Sequence, residues 1–276
     1  MSSKPIGIFD SGVGGLSVWK EISNLLPYEN LVYFADQKNC PYGTKTEKEI
    51  LELVAKVCDF LISRECKMII MACNTATAHA IQTLRNKFPH IPFVGMEPAV
   101  KPAIINSRTH KIGVLATQAT LRSEFFKKRS SKYLHEQSQL FLQPGHGLVE
   151  LVENSKASSP EAKALLESYL LPMINKGADH LVLGCSHYPF FHKIIQEIID
   201  AHSSEMTILD PAEAIARRTK NLLLESGNLN DSPLPPFFQF FTNANIVALE
   251  SFINKELVQT KNNLNSSYEI KLVADQ

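Results

Sequence analysis

Residues Pro5–Gly14 read PIGIFDSGVG, a short apolar run that ends on an acid and breaks into serine and glycine. With a helical pattern from Leu16 to Leu26 behind it, this is the start of a βα unit. The pattern returns at Lys111–Thr120, KIGVLATQAT, where Ile112-Gly113-Val114-Leu115 echoes Ile6-Gly7-Ile8-Phe9 at an offset of 106 residues (from 6 to 112). A second pair behaves alike. KMIIMAC (Lys67–Cys73) and HLVLGC (His180–Cys185) are both apolar runs that end in a cysteine, 112 residues apart (from 73 to 185). Two signatures recurring in the same order at similar offsets predict two α/β lobes of related topology.

The rest of the chain fits that alternation. NLVYFAD (Asn30–Asp36) and IPFVGME (Ile91–Glu97) read as strands. Thr46–Cys66 reads as a long helix, with Ile50, Val54, Val57, Leu61 and Ile62 near a 3.6-residue period, and Thr75–Phe88 as another. Ser155–Ala162 is a loop entering a helix, with Pro160 near its first turn. SGNLNDSPLPP (Ser226–Pro236) breaks regular structure. The apolar run Phe237–Asn243, a helix around Ala248–Leu257 and a last strand over Ser266–Val273 follow it.

Composition narrows the classes of function. The 276 residues are 44% hydrophobic and 20% charged, enough to bury a sizeable core. Basic and acidic residues number 28 each, so nothing calls for a polyanionic partner, and Lys127–Lys132 reads as a solvated helix end. No apolar run approaches the roughly 18 residues of a membrane span. The first residues lack the apolar core of a secretory signal, and five cysteines make an odd count. Free thiols in the cytoplasm are the expectation. Cys58 and Cys66 are expected to be buried structural thiols, and Cys40, ahead of a proline, incidental.

In open α/β sheets ligands collect at the carboxyl ends of the strands. There stand Asp10-Ser11 before Gly12-Val13-Gly14-Gly15, then Asp36 ahead of the rigid loop Pro41-Tyr42-Gly43. Cys73-Asn74-Thr75, Glu97, Thr117 with Thr120, and Cys185-Ser186-His187 complete the set. The glycine turn is neither a dinucleotide fingerprint nor a P-loop and suits a carboxylate-sized anion. Asp10 stands either to cap the next helix or to serve a ligand. A zinc site would need ligands from distant segments, since Cys185 and His187 make only one close pair. A Cys-His hydrolase would use Cys185 and His187 but leave Cys73 idle.

Two thiols at matching places in two similar lobes suggest another chemistry. If the lobes close face to face, with the active site between them, one thiolate removes a proton from a carbon acid and the other thiol returns one to the opposite face. A free thiol ionises near about 8.5, so each sulfur needs help. Asp10 for one, and His187 or a glutamate for the other, are placed to take or relay its proton. Ser11, Asn74, Thr75, Thr117 and Ser186 suit the charged groups of an amino acid.

At these residues the sequence resembles the cofactor-independent glutamate racemases of the aspartate/glutamate racemase superfamily. FDSGVGGLSV, YFADQKNCPYGTK, ACNTATA, GMEPAVKPA, GVLATQATLRSEFF and LGCSHYPF match in order, and LDPAEAIARR carries the likeness to Arg218. The resemblance implies Cys73 and Cys185 as the catalytic bases. It also implies a pocket lined by Asp10-Ser11, Tyr42-Gly43, Asn74-Thr75 and Ser186-His187, with no metal, nucleotide or pyridoxal cofactor. It implies two pseudosymmetric lobes, residues 1–98 with 210–276 and residues 99–209, and a homodimer. Ser186 replaces the family's usual threonine, keeping the hydroxyl. QPGHGLVELVE (Gln143–Glu153) lacks the expected cysteine, and Glu153 matches the family's acidic position better than Glu150. The implied activity is interconversion of L- and D-glutamate, supplying D-glutamate for peptidoglycan. A racemase for aspartate or another amino acid, the Cys-His hydrolase and a two-lobed amino-acid receptor are the alternatives.

Overall fold

A computed structural model describes residues 3–232, 234–258 and 267–273. The chain divides into two compact units, Met1–Met96 with Ala212–Gln276, and Glu97–Pro211. Among the described residues no helix is long and apolar enough to cross a membrane.

The first unit opens with β1 (Ile6–Asp10), α1 (Leu16–Leu25), β2 (Leu31–Ala35), α2 (Glu47–Ser63), β3 (Met68–Met71), α3 (Asn74–Lys87) and β4 (Phe93–Gly95). The second holds α4 (Val100–Asn106), β5 (Lys111–Ala116), α5 (Gln118–Arg122), α6 (Glu124–Ser131) and β6 (Gln139–Pro144). It continues with α7 (Leu148–Glu153), α8 (Pro160–Asn175), β7 (His180–Gly184), α9 (His192–Ala201) and β8 (Thr207–Leu209). The chain then returns to the first unit with α10 (Ala212–Glu225), β9 (Phe237–Thr242), α11 (Ile246–Val258) and β10 (Ser267–Leu272).

Among the described residues every strand pairing is parallel, in the orders β10-β9-β2-β1-β3-β4 and β6-β5-β7-β8. Strand for strand, β2-β1-β3-β4 and β6-β5-β7-β8 are the same arrangement. The sequence echoes therefore fall on equivalent strands, β1 with β5 and β3 with β7. β1, β2, β3 and β7 are buried along their whole length, which is why they read as unbroken apolar runs.

In the first unit α1 packs with α10 and α11, and α2 packs with α3. α2 starts on a reciprocal cap: the Thr46 hydroxyl accepts the Glu49 N–H and the Glu49 carboxylate accepts the Thr46 N–H. The last segment is fastened by alternating aromatics of β9. Phe238 and Phe240 meet Trp19 at ring distances of 5.1 and 5.2 Å, while Phe241 meets Phe60 of α2 at 5.0 Å. Phe238, Phe240 and Phe241 are buried, worth roughly 2 kcal/mol apiece.

At the amino ends of the strands a buried ion pair fastens the return chain. Lys67 Nζ lies 2.7 Å from Glu29 Oε2, with side chains 5% and 1% exposed. Lys67 also donates to the Asn228 carbonyl, and Glu29 accepts the Asn230 N–H at 2.8 Å. The expected break at Ser226–Pro236 carries no helix or strand over its described residues, Pro233 lying outside them. β10 follows as expected, Ser266 lying outside the described residues.

In the second unit Ile112, Val114, Ala116 and Val182 pack with Val100, Ala103, Ile104, Leu121 and Phe126. Gly113, on the other side, faces Met173 of α8, whose sulfur would lie 2.5 Å from an added Cβ. At Gly184 an added Cβ would sit 2.7 Å from that of Ala116, so only glycine lets β7 and β5 end side by side. Ser159 caps α8 by accepting the Ala162 N–H, with Pro160 at the first helical position, as expected. Lys127–Lys132 runs through the end of α6, its lysines and arginine exposed.

Cys58 and Cys66 are buried, and burial pushes both thiols up to about 12. They are therefore protonated at any pH near neutrality. Iodoacetamide at about pH 8 should leave both unmodified in the folded chain and label them after denaturation. Peptide mass mapping reads this, and labelling of either in the folded state would contradict the burial.

Candidate active site

Cys73 was expected at the end of a strand. β3 stops at Met71, and Cys73 instead caps α3, its sulfur accepting the Ala76 N–H at 3.4 Å. Negative charge on this sulfur thus meets the positive end of a 14-residue helix. The thiol donates toward the Ser11 hydroxyl, 3.8 Å away. Cys40 Sγ lies 4.0 Å from that same oxygen, so Cys40, expected to be incidental, belongs to the cluster.

Asp10 is fully buried and accepts the Gly12 N–H at 2.9 Å. It does not cap α1, whose first residue is Leu16 and whose N-cap is Gly15. A side chain at Gly15 would meet Asp10 Cβ, Ala72 Cβ and the Tyr33 hydroxyl within 2.9 Å, so glycine is required for this close packing. The Tyr33 hydroxyl donates to the Gly12 carbonyl at 2.8 Å and fixes the turn from below.

Asn74 and Thr75 are buried in the first turn of α3. Asn74 Nδ2 donates to the Met96 carbonyl at 3.1 Å, while its Oδ1 is buried without a hydrogen bond. An unsatisfied buried carbonyl oxygen is costly and suits a donor brought by a ligand. Pro41 and Gly43 are half-buried, and Tyr42 between them is buried, its hydroxyl donating to Asp36 Oδ2. Asp36 also accepts from Asn39 and Asn243. Burial raises the Asp36 carboxyl above its ordinary value despite these donors. Burial, with the Asp36 charge adding, pushes the Tyr42 phenol far up, so it stays a donor.

In the second unit Cys185 follows β7, and Ser186 and His187 are buried beside it. His187 Nε2 lies 2.7 Å from Glu153 Oε1, and its Nδ1 lies 4.0 Å from Cys185 Sγ and 3.3 Å from Ser186 Oγ. With Glu153 accepting the Nε2 proton, a neutral imidazole turns Nδ1 toward the sulfur as an acceptor. Glu153, the last residue of α7, is the carboxylate that reaches His187; Glu150 is exposed. Thr117 caps α5, its hydroxyl accepting the Thr120 N–H at 3.2 Å and donating to Thr120 Oγ1 at 2.9 Å. Thr120 is fully buried.

Two residues escaped sequence reasoning. Tyr188 is buried behind Cys185 and donates to the Gly145 carbonyl at 3.1 Å; burial first, then the neighbouring Cys185, pushes its phenol far up. Asn243 reaches Asp36 from the far end of the chain. The signal for Asn243 was present: Thr242-Asn243 closes an apolar run just as Cys73-Asn74 does.

Comparison with known proteins agrees with the geometry. The family model for the Asp/Glu/hydantoin racemases matches residues 7–219. The chain is 43% identical over 230 residues to a glutamate racemase of Herpetosiphon aurantiacus, covering 83% of this chain and 89% of that one. Its structure is similar to that of a glutamate racemase isoform from Bacillus anthracis, with a TM-score of 0.85, 30% identity, and coverage of 100% and 98% of the two chains. It is also similar to the Francisella tularensis glutamate racemase in complex with D-glutamate, with a TM-score of 0.83, 28% identity, and coverage of 99% and 98%. With the motifs, the strand order and the relatives in agreement, the chain belongs to the Asp/Glu/hydantoin racemase family.

Proposed function

We propose that this chain is a glutamate racemase that interconverts L- and D-glutamate through two cysteine bases. The observation that carries the reading is the pair of equipped thiols beyond equivalent strands, Cys73 after β3 with Ser11, and Cys185 after β7 with His187 and Glu153. The thiolate of one cysteine takes the α-proton, leaving the electron pair delocalised into the substrate carboxylate. The other thiol delivers its own proton to the opposite face, and the two sulfurs end with their protonation states exchanged. The reverse reaction resets them. Asp10 serves the Cys73 side, and the His187–Glu153 pair serves Cys185. Asn74 Oδ1, buried and in want of a donor, suits the substrate ammonium; Ser11, Tyr42, Gly43 and Thr75 of the first unit, and Thr117 and Ser186 of the second, supply polar groups for its charged ends. A Cys-His hydrolase would leave the Cys73 cluster without a task.

The reading carries with it a cytoplasmic homodimer that feeds D-glutamate to peptidoglycan. Its direct test is incubation with L-glutamate in D₂O without added cofactor, following optical rotation and the α-proton signal. Both should decay together. No exchange and no inversion would sink the racemase reading, and reaction of aspartate alone would sink the choice of substrate.

The auxiliary carboxylate has its own test. Glu153→Gln should lower kcat by roughly tenfold to a hundredfold, because the imidazole loses the charged acceptor that orients it and favours its protonated form. Glu150→Gln, on the exposed side of α7, should stay within about twofold of wild type. Equal loss in both variants, measured by steady-state kinetics, would contradict the assignment.

A further inference from the structure

We propose that Asn243 is a positioning residue for the substrate-facing loop Asp36–Thr44. The proposal rests on the reading of Tyr42 and Gly43 as pocket residues given above. β9 lies beside β2 in parallel register, Ala35 opposite Thr242, so Asp36 and Asn243 leave the two strands side by side. From there the C-terminal segment grips the loop at three points. Asn243 Nδ2 donates to Asp36 Oδ1, the Lys38 N–H donates to Asn243 Oδ1 at 3.0 Å, and the Thr242 hydroxyl donates to Gln37 Oε1 at 2.9 Å.

Asp36 passes that grip to the pocket. Its Oδ1 also accepts Asn39 Nδ2 at 2.8 Å, and its Oδ2 accepts the Tyr42 hydroxyl. One carboxylate therefore ties residue 243 to both short 3-10 turns of the loop, Gln37–Asn39 and Tyr42–Thr44. Because Asp36 is 2% exposed, water cannot readily replace a lost donor. The Asn243 amide uses both its ends, one on the carboxylate and one on a backbone N–H, so no other side chain of its size performs both tasks. Without it the first 3-10 turn loses its outer acceptor and Asp36 loses its donor from the C-terminal segment. The loop then holds Tyr42 and Gly43 less firmly, while Cys73 and Cys185, outside the loop, keep their own contacts.

The test is a split between KM and kcat in glutamate racemisation by the full chain, measured in both directions. Asn243→Ala should raise KM about tenfold while kcat stays within about threefold of wild type. Asn243→Asp keeps the shape and the acceptor for Lys38 but cannot donate to Asp36 when ionised. It should raise KM likewise, and it serves where the alanine variant fails to fold. A merely structural role would lower the amount of active protein and leave KM unchanged. KM within about twofold of wild type in both variants, or a fall in kcat at constant KM, overturns the proposal alone. A wild-type chain that does not racemise glutamate overturns the functional reading, and this proposal with it.

Discussion

Cys73→Ser and Cys185→Ser should each cut glutamate racemisation by roughly 10³-fold, in both directions, while leaving the fold intact. Inversion needs a base on one face and an acid on the other, so either sulfur is indispensable. Serine matches the shape, but its hydroxyl is far too weak an acid to exchange protons as a thiol does. The two variants should not be equivalent in D₂O. With one sulfur gone, the other can still remove the α-proton from the enantiomer that presents it and return a deuteron to the same face. Each variant should therefore exchange the α-proton of one enantiomer without inverting it, and the two should choose opposite enantiomers. NMR of L- and D-glutamate incubated separately reads this out and assigns each cysteine its face. Racemisation within about tenfold of wild type in either variant would end the two-base mechanism. A Cys185 hydrolase, by contrast, would be indifferent to Cys73.

The second large effect concerns stability. Lys67→Met should destabilise the first unit by about 3–5 kcal/mol, because Glu29 stays behind as a buried carboxylate without its cation. Burial already raises the Glu29 carboxyl, with Lys67 as the main opposing influence. The neighbouring Asn230 N–H contact cannot replace a full charge. In a thermal melt the loss should appear as a midpoint lower by roughly 10 °C. The double variant Glu29→Leu/Lys67→Met should recover part of it, since it strands neutral backbone groups in place of a charge. A Lys67→Met midpoint within about 2 °C of wild type would show that the pair is not holding the return segment.

The central strands were legible because burial on both faces turns β1, β2, β3 and β7 into uninterrupted apolar text. β6 was not, since it is an edge strand whose residues are half-buried or exposed, and β8 is three residues long. Both cysteines were legible as pairs of polar breaks after matching runs. Cys73's place as a helix cap was not, because the two residues between β3 and α3 carry no turn signal of their own. The sequence preferred Glu153 to Glu150 by position alone; that Glu153 is the one whose carboxylate meets His187 shows only in the turn of the six-residue helix α7. Lys67 and Glu29 carry no local sign of their burial: charged side chains ordinarily face solvent, yet these two lie inside. Asn243 and Asp36 stand 207 positions apart, beyond any local pattern.

The order of the strands in the first sheet also sets a timetable. A ribosome releases β2 early, yet its outer neighbour β9 begins 202 residues after β2 ends (from 35 to 237). At about 5–20 residues per second that interval is roughly 10–40 s. Residues 97–211, by contrast, emerge as one uninterrupted block and carry all four strands of their own sheet. The growing polypeptide thus bears an open row of backbone donors and acceptors on β2 until synthesis is nearly finished, the kind of edge on which nascent chains adhere to one another. The later half of the molecule can be complete while the earlier half still waits for its last pieces.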